Sequence, residues 1–291
     1  MKLRSICKTL ALSGTVLALV LLASSSLFAL QMSSYPSQSA SPSTPAPAAG
    51  SAPAAAPAPK VDPQEEADYK AFFELKPDDT DQHIALGTAF VQKYPDSKYA
   101  EAVYSQMTTA EYKKQEYDKM FADADKAIVL NPDDVTVLVV AGWVIPHTYN
   151  ADDPQADAKL AKAAKYEKHA LEILPTLVKP AAMASMSDDQ FTKAKSELES
   201  QAHSGLGLVY FRQQNYEGAV TELSKAVAGT ANPDPTDYFV LGYSLNKTEK
   251  YSDAADAFGK CAAMPGGLQA RCKQQADAAK TQAASKPAPP K

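Results

Sequence analysis

The sequence predicts an all-α fold in which pairs of helices repeat along the chain. Between Val61 and Ala279, apolar and small residues recur at spacings of three and four, and clean two-residue alternation is missing. Within this region, a block that contains Leu-Gly returns 35 residues later, from Leu206 to Leu241. The spacings favour helices over strands, and the returning block indicates that the helices form similar pairs. Because one pair alone cannot bury its apolar face, we expect neighbouring pairs to stack.

Residues 1–30 are predicted to direct the chain out of the cytoplasm. Three basic residues lie within the first eight positions, and the stretch from Thr9 to Leu30 carries no charge. This pattern is typical of a secretory signal peptide, with Ala29 as the candidate residue before the cleavage site. Without cleavage, the same stretch is long enough to be a transmembrane anchor with its basic end in the cytoplasm. Both alternatives predict an exported chain, either periplasmic or membrane-anchored and facing the extracytoplasmic side.

Residues 31–61 are predicted to be a disordered linker. They consist almost entirely of Ser, Pro, Ala and Gln, and seven of the 21 prolines of the chain lie here. Such a composition cannot bury enough apolar surface to offset the entropy of ordering it. The tail at 281–291 ends in Pro-Ala-Pro-Pro-Lys and is predicted to be disordered as well. The folded part is therefore expected within 62–280.

The folded part begins with a degenerate helix pair within 63–100. Its predicted helices are Pro63–Leu75 and Asp79–Lys93. Pro95 ends the second helix, because proline cannot continue the hydrogen-bond ladder. Ser97 is then a candidate N-cap for the helix that follows.

Two of the four repeats that come next are clear and two are degenerate. The clear repeats, near 200–233 and 235–268, carry the same residue types at the same spacing. The shared positions are Leu206, Gly207, Tyr216, Ala219, Leu223 and Ala226, followed by Leu241, Gly242, Tyr251, Ala254, Phe258 and Cys261. The degenerate repeats lie near 101–134 and 135–177, and the second of them holds about nine extra, loop-like residues around 147–154. We expect the glycines and alanines to mark where the two helices of a pair cross closely.

Residues 178–199 separate the degenerate repeats from the clear ones. Pro180 breaks the chain, and Ser187 with Gln190 fits a capping box. From there a helix is predicted to run to about Gln213, which is longer than a repeat helix needs. The stack therefore either bends or pauses in this region.

These repeats resemble the tetratricopeptide repeat, whose pattern is Leu-Gly, then Tyr, Ala, an aromatic or Leu, Ala and Pro over 34 positions. The resemblance implies a right-handed superhelical solenoid of helix-turn-helix pairs. It also implies a concave groove, built by the first helix of each pair, that binds a protein or peptide. The family's groove positions fall here on Tyr112, Lys113, Val139, Trp143, Leu208, Phe211, Arg212, Phe239, Tyr243, Asn246 and Lys247.

The residue types at these positions suit an extended or helical peptide with apolar anchors and an acidic group. The family's clamp for a C-terminal carboxylate is not supported, because Ser105 and Thr109 replace its Lys and Asn. A second interpretation stays open: Trp143, Leu208 and Phe239 would then pack against neighbouring helices.

Cys261 and Cys272 are predicted to form a disulfide. Cys261 lies on the second helix of the last repeat, and Cys272 lies in a capping helix predicted over 268–280. Adjacent antiparallel helices can bring such positions within disulfide range, and an exported chain meets an oxidising compartment. The alternative is a pair of small buried thiols.

Composition and motifs argue against several classes of function. The chain has 29 basic and 34 acidic residues, a net charge of −5 that does not suit nucleic acid as the main partner. The four histidines lack metal-ligand spacing, and no hydrolase, metalloprotease, phosphate-loop or dinucleotide motif occurs. We therefore predict no catalytic residue, no metal and no cofactor. His147 follows Trp143 closely in the extra segment of the second repeat, so a binding role for it stays open.

Two hypotheses for the function follow. In the first, the chain is a non-enzymatic exported scaffold that mediates protein–protein interaction through its concave groove. In the second, it is a structural tether or subunit of a cell-envelope assembly or division complex, and it binds through its other faces. The expected partner in both is a protein or peptide, with membrane attachment only through the N-terminal segment.

Overall fold

The computed structural model describes residues 62–179, 183 and 186–285. Throughout this part, the chain is all-helical and contains no strand. The predicted signal or anchor, the linker at 31–61 and residues 286–291 lie outside the described residues. The helices are α1 (Pro63–Phe73), α2 (Thr80–Lys93), α3 (Ala100–Lys114), α4 (Tyr117–Leu130), α5 (Val135–His147), α6 (Ala156–Ile173), α7 (Asp188–Arg212), α8 (Tyr216–Gly229), α9 (Pro235–Lys247), α10 (Tyr251–Ala263) and α11 (Gln269–Ser285), with a 3₁₀ turn at Leu174–Thr176.

Helix α7 begins at a capping box, as the sequence predicts. The Ser187 Oγ accepts a hydrogen bond from the Gln190 amide at 3.1 Å, and the Ser187 amide donates to Gln190 Oε1 at 2.9 Å. The helix then runs unbroken for 25 residues to Arg212, which confirms the predicted long helix. It packs against both α5 and α6, so the stack continues across this region without a pause.

Three helix pairs share one turn geometry. Gln115, Gln214 and Glu249 each end a first helix with a positive φ of 61°, 62° and 59°. The next residue in each turn donates its amide to a carbonyl five positions back, at 2.9 Å in all three turns. In the second repeat, α5 ends at His147 and a loop at 148–155 replaces this turn, where the extra residues were predicted. The repeat is therefore present in the backbone as well as in the sequence.

Glycine on the first helix faces a large side chain on the second helix in the same repeats. A Cβ added to Gly207 would lie 2.6 Å from the Leu223 Cγ, and one added to Gly242 would lie 2.9 Å from the Phe258 ring. In the second repeat the corresponding glycine, Gly142, faces the carboxyl group of Glu167. The helices of a pair thus cross where only a glycine fits, which confirms the expected role of these positions.

We expect Gly207→Ala and Gly242→Ala each to lower the free energy of unfolding by about 1–3 kcal/mol, because the new methyl group overpacks the crossing. Gly259→Ala is the matched control, since it also lies in a helix but a Cβ there meets nothing within 4 Å. That control should be neutral or stabilise by up to about 1 kcal/mol through helix propensity. Thermal unfolding followed by circular dichroism measures the stability of all three variants. Equal changes in melting temperature for the three would contradict the close crossing at Gly207 and Gly242.

The first helices of the pairs form a continuous row, because α3 contacts α5, α5 contacts α7 and α7 contacts α9. Each of them also packs against the second helix of its own pair. We call the side on which α3, α5, α7 and α9 approach one another the inner face. Over the described ranges, no helix has the length and apolar content needed to cross a membrane.

The capping helix α11 is longer than predicted. It extends to Ser285, so the predicted boundaries at 280 for the helix and at 281 for the disordered tail are wrong. The reason is local: the segment is rich in alanine, and neither Gly nor Pro interrupts it before Pro287. The helix packs against α10, where Cys261 and Cys272 lie at disulfide distance with their Cα atoms 5.7 Å apart.

Candidate functional site

A chain of hydrogen bonds joins three first helices at the middle of the inner face. Trp143 on α5 donates its Nε1–H to the Ser204 Oγ on α7 at 3.2 Å. The Ser204 hydroxyl in turn donates to Asp237 Oδ1 on α9 at 2.7 Å. All three side chains are buried, so these bonds fix the spacing of the helices. We call Tyr112, Trp143, His147, Ser204, Asp234 and Asp237 the central cluster.

Aromatic rings form one side of the central cluster. The Tyr112 ring meets the Trp143 ring edge-on, with centroids 6.1 Å apart, and the His147 ring lies 3.6 Å from the Trp143 ring. The His147 Nδ1–H donates to the Trp143 carbonyl oxygen at 2.7 Å. That bond leaves the Nε2 of His147 as an acceptor, and it is buried without a partner among the described residues.

Two carboxylates form the other side. Asp234 caps α9, and its Oδ1 accepts a hydrogen bond from the Thr236 amide at 2.7 Å. Asp237 lies one turn further on and is buried. Burial and then the charge of Asp234 raise the pKa of Asp237 well above its ordinary value, and the Ser204 hydrogen bond opposes that rise. No described residue forms an ion pair with either carboxyl group, and the raised pKa favours the protonated form of Asp237.

The structure buries most of the side chains predicted to line the groove. Tyr112, Val139, Trp143, Leu208, Phe211 and Phe239 are all less than a tenth exposed. Trp143, Leu208 and Phe239 therefore serve as packing residues, as the second interpretation holds. Tyr243 and Asn246 are half-buried and Lys247 is exposed, so these three give the inner face an accessible edge at α9. Part of that edge is occupied, since Asn246 Nδ2 donates to Gln282 Oε1 on α11.

Two of the three predicted groove cations already have partners within the chain. Lys113 donates to the Pro77 carbonyl at 2.7 Å, and its side chain is only 8% exposed. Arg212 donates to the Pro146 carbonyl at 3.0 Å, and its guanidinium lies over the Tyr149 ring. Lys247, the third of these cations, is exposed at the edge of the inner face, so the expectation that the groove recognises an acidic group stays a prediction.

Ser204, Asp234 and Asp237 are members of the site that the repeat positions did not identify. Asp234 has the sequence signal of an ordinary helix cap. Asp237 is neither a repeat position nor a groove position, and its burial is known only from the structure. A buried carboxyl group without an ion pair is unusual, since charged side chains are seldom buried without a pairing partner.

A second concave surface lies beside the extra loop of the second repeat. It is a cavity of about 500 Å³ between α4, the loop at 148–155 and the start of α6. Its lining includes Tyr117, Phe121 and Tyr149. The lysines at its wall are paired, with Lys162 at 2.6 Å from Asp125 and Lys159 at 2.7 Å from Asp153. The charges within each of these two pairs neutralise each other, and Asp118 is a further carboxylate of the lining.

The histidines have separate surroundings. His169 pairs with Asp133 and His203 pairs with Glu222, at 2.7 Å and 2.6 Å. His83 packs edge-on against the Phe72 ring. Within the part of the chain that the structure describes, no group of three or more His, Cys, Asp or Glu side chains could hold a metal ion.

Comparisons with known proteins do not assign the chain to a family. No family model matches the sequence, and no curated protein matches it either.

Proposed function

We propose that the chain is a non-enzymatic scaffold of the tetratricopeptide type, a right-handed helical solenoid that binds a protein or peptide segment along its inner face. The observation that carries the proposal is the central cluster, in which buried polar groups of three first helices meet on one surface. Buried polar groups cost stability unless they are paired, so uncompensated ones on a shared surface favour a binding role. The shared turns and glycine crossings support the repeat assignment.

The proposal includes export. The basic and apolar N-terminal segment is the sequence evidence for it, and the cysteine pair at disulfide distance is consistent with an oxidising compartment. The scaffold would then work in the periplasm or on the extracytoplasmic side of a membrane. The linker at 31–61 would separate it from any anchor.

A second candidate function is a structural subunit that binds through its other faces. One observation favours it: Val129 and Leu130 at the end of α4 are 81% and 53% exposed and lie next to each other. Apolar neighbours of this kind often mark a contact surface.

Site-specific photo-crosslinking distinguishes the two functions. A photoreactive phenylalanine analogue replaces Tyr243 at the inner face in one variant and Val129 on α4 in the other. Expressed in the cells that make the protein, the Tyr243 variant should crosslink a partner and the Val129 variant should not. Lys247→Ala should weaken that crosslink by about tenfold if it contributes as a typical contact residue. Crosslinks from position 129 alone would reject the inner face and support the structural subunit.

A further inference from the structure

The carboxylates of the central cluster lack a cation. Asp234 lies at the start of α9 and is half-buried, and Asp237 lies behind it with its Oδ1 bonded to Ser204. No Lys or Arg of the described residues forms an ion pair with either of them. Arg212 acts electrostatically on His147, and its guanidinium contacts the Pro146 carbonyl and the Tyr149 ring.

Two more polar groups beside these carboxylates have no partner in the described chain. The Tyr112 side chain is 8% exposed, and its hydroxyl forms no hydrogen bond with a described residue. Its ring contacts Trp143, whose Nε1 leads through Ser204 to Asp237, so the hydroxyl belongs to the same cluster. The Nε2 of His147 is the second such group, and it is an acceptor because Nδ1 donates.

The groups with acceptor capacity left at this site are the two carboxyl groups, each with one oxygen already bonded, the imidazole nitrogen of His147 and the phenol oxygen of Tyr112, whose hydroxyl can also donate. Lys and Arg side chains suit such a set, because they carry only donors and a positive charge. The neighbouring aromatic rings add to the attraction for a cation. At this cluster, an anionic side chain would meet repulsion from the charge of Asp234.

We propose that the central cluster binds a lysine or arginine side chain of the segment that lies on the inner face. Asp234 is the outer ligand that first meets the cation, and Asp237 is the inner one, held in place by Ser204. Tyr112 and His147 complete the set of acceptors. This inference rests on the proposed function, because it names the side chain that the same surface recognises.

The single tryptophan of the chain is the natural probe, since Trp143 lies inside the cluster. Tripeptides blocked at both ends, with lysine, arginine, norleucine or glutamate between two alanines, are titrated into the full chain while Trp143 fluorescence is followed. A tri-alanine with a free amino terminus tests an amino group that is not a side chain. We expect saturable changes with the lysine and arginine peptides and none with the norleucine and glutamate peptides.

The matched variants are Asp234→Asn and Asp256→Asn. Asparagine caps a helix as well as aspartate does, so Asp234→Asn removes the charge and keeps the start of α9. Asp256 is exposed on α10 and forms no ion pair with a described residue. Asp234→Asn should weaken the binding of the lysine peptide at least tenfold, which corresponds to the loss of one charge-assisted hydrogen bond. Asp256→Asn should leave the affinity for this peptide unchanged. Thermal unfolding checks that both variants are folded.

Three results would overturn the inference: no fluorescence response to lysine or arginine at millimolar peptide, an equal response to glutamate or norleucine, or an Asp234→Asn variant that binds as tightly as the parent. A response to the free amino terminus alone would also overturn it, because the side chain would then not be the ligand. The crosslinking experiment separates this failure from that of the proposed function. Crosslinks at position 243 with no response to cations would retain the scaffold and reject only the cation site.

Discussion

Glu167→Leu is expected to raise the free energy of unfolding by roughly 2–4 kcal/mol at pH 8, because a buried carboxyl group without a partner, whether it is ionised or keeps its proton, costs more than an apolar side chain of similar size. Glu167 on α6 is fully buried, and both of its carboxylate oxygens lack a hydrogen-bond partner in the described chain. The equivalent positions of the next two repeats hold Leu223 and Phe258, each facing the glycine of its own pair. Leucine at 167 would therefore restore the packing that the sister repeats already use.

The pH dependence of this effect has a defined sign. Burial raises the pKa of Glu167 well above its ordinary value of 4.5, so the folded chain keeps a proton that the unfolded chain releases. Stability from this group is fully present below about pH 4.5 and is lost as pH rises toward the folded pKa. Glu167→Gln keeps the shape without the charge. The stability difference between this variant and the parent should be small at pH 4 and should grow above pH 5.

Urea unfolding of the parent, Glu167→Gln and Glu167→Leu across this pH range measures both effects. Glu111 also makes the parent less stable as pH rises, since burial and then the charge of Asp123 raise its pKa to about 7. The comparison of variants in one background cancels that contribution. A parent and a Gln variant with the same stability at every pH would mean that Glu167 is ionised or compensated in the folded chain.

Removal of the cysteine pair should lower the free energy of unfolding by about 3 kcal/mol, because the link between Cys261 and Cys272 closes a short loop in the unfolded chain. The two residues are 11 positions apart. The buried residues of α11 are Cys272, Ala276 and Ala279, so little apolar surface holds this helix in place. Cys261→Ser/Cys272→Ser should therefore loosen α11 first.

Two measurements test this prediction. In denaturant unfolding, the midpoint of the parent should fall when a reductant is added. The midpoint of the double serine variant should not change. Hydrogen exchange should show faster exchange along α11 than along α7 when the pair is reduced. Cys7→Ser is the control, since Cys7 lies outside the folded part predicted from sequence. A parent that is insensitive to reductant would show that the two thiols are free in the folded chain, as the alternative interpretation holds.

Much of the helical framework could be predicted because its signals are local. The capping box at Ser187 depends on a residue three positions away, and the crossings at Gly207 and Gly242 depend on side chains 16 positions away within the same repeat. The end of α11 was misplaced by five residues because no stop residue occurs before Pro287. The assignment to the tetratricopeptide family stays a prediction that rests on this spacing.

The site could be predicted only in part. Repeat positions identify the side of a helix on which Tyr112, Trp143 and Phe239 lie, but not how closely the next first helix approaches. That distance depends on contacts between residues more than 30 positions apart, such as Ser204 with Asp237. The close approach of the first helices buries the aromatic side chains, so the carboxyl groups of Asp234 and Asp237 become the distinguishing feature of the site. The repeat positions do not include these two residues.

The carboxyl group of Glu167 occupies space that belongs to two helix pairs at once, since it faces Gly142 of its own pair and Gly205 of the next. Among natural variants, these three positions should therefore change together. A lineage that replaces Glu167 with a small residue opens room on both sides, and its two glycines become free to drift to alanine. A lineage that keeps the carboxyl group must keep both glycines, so the evolutionary history of one helix pair constrains that of its neighbour.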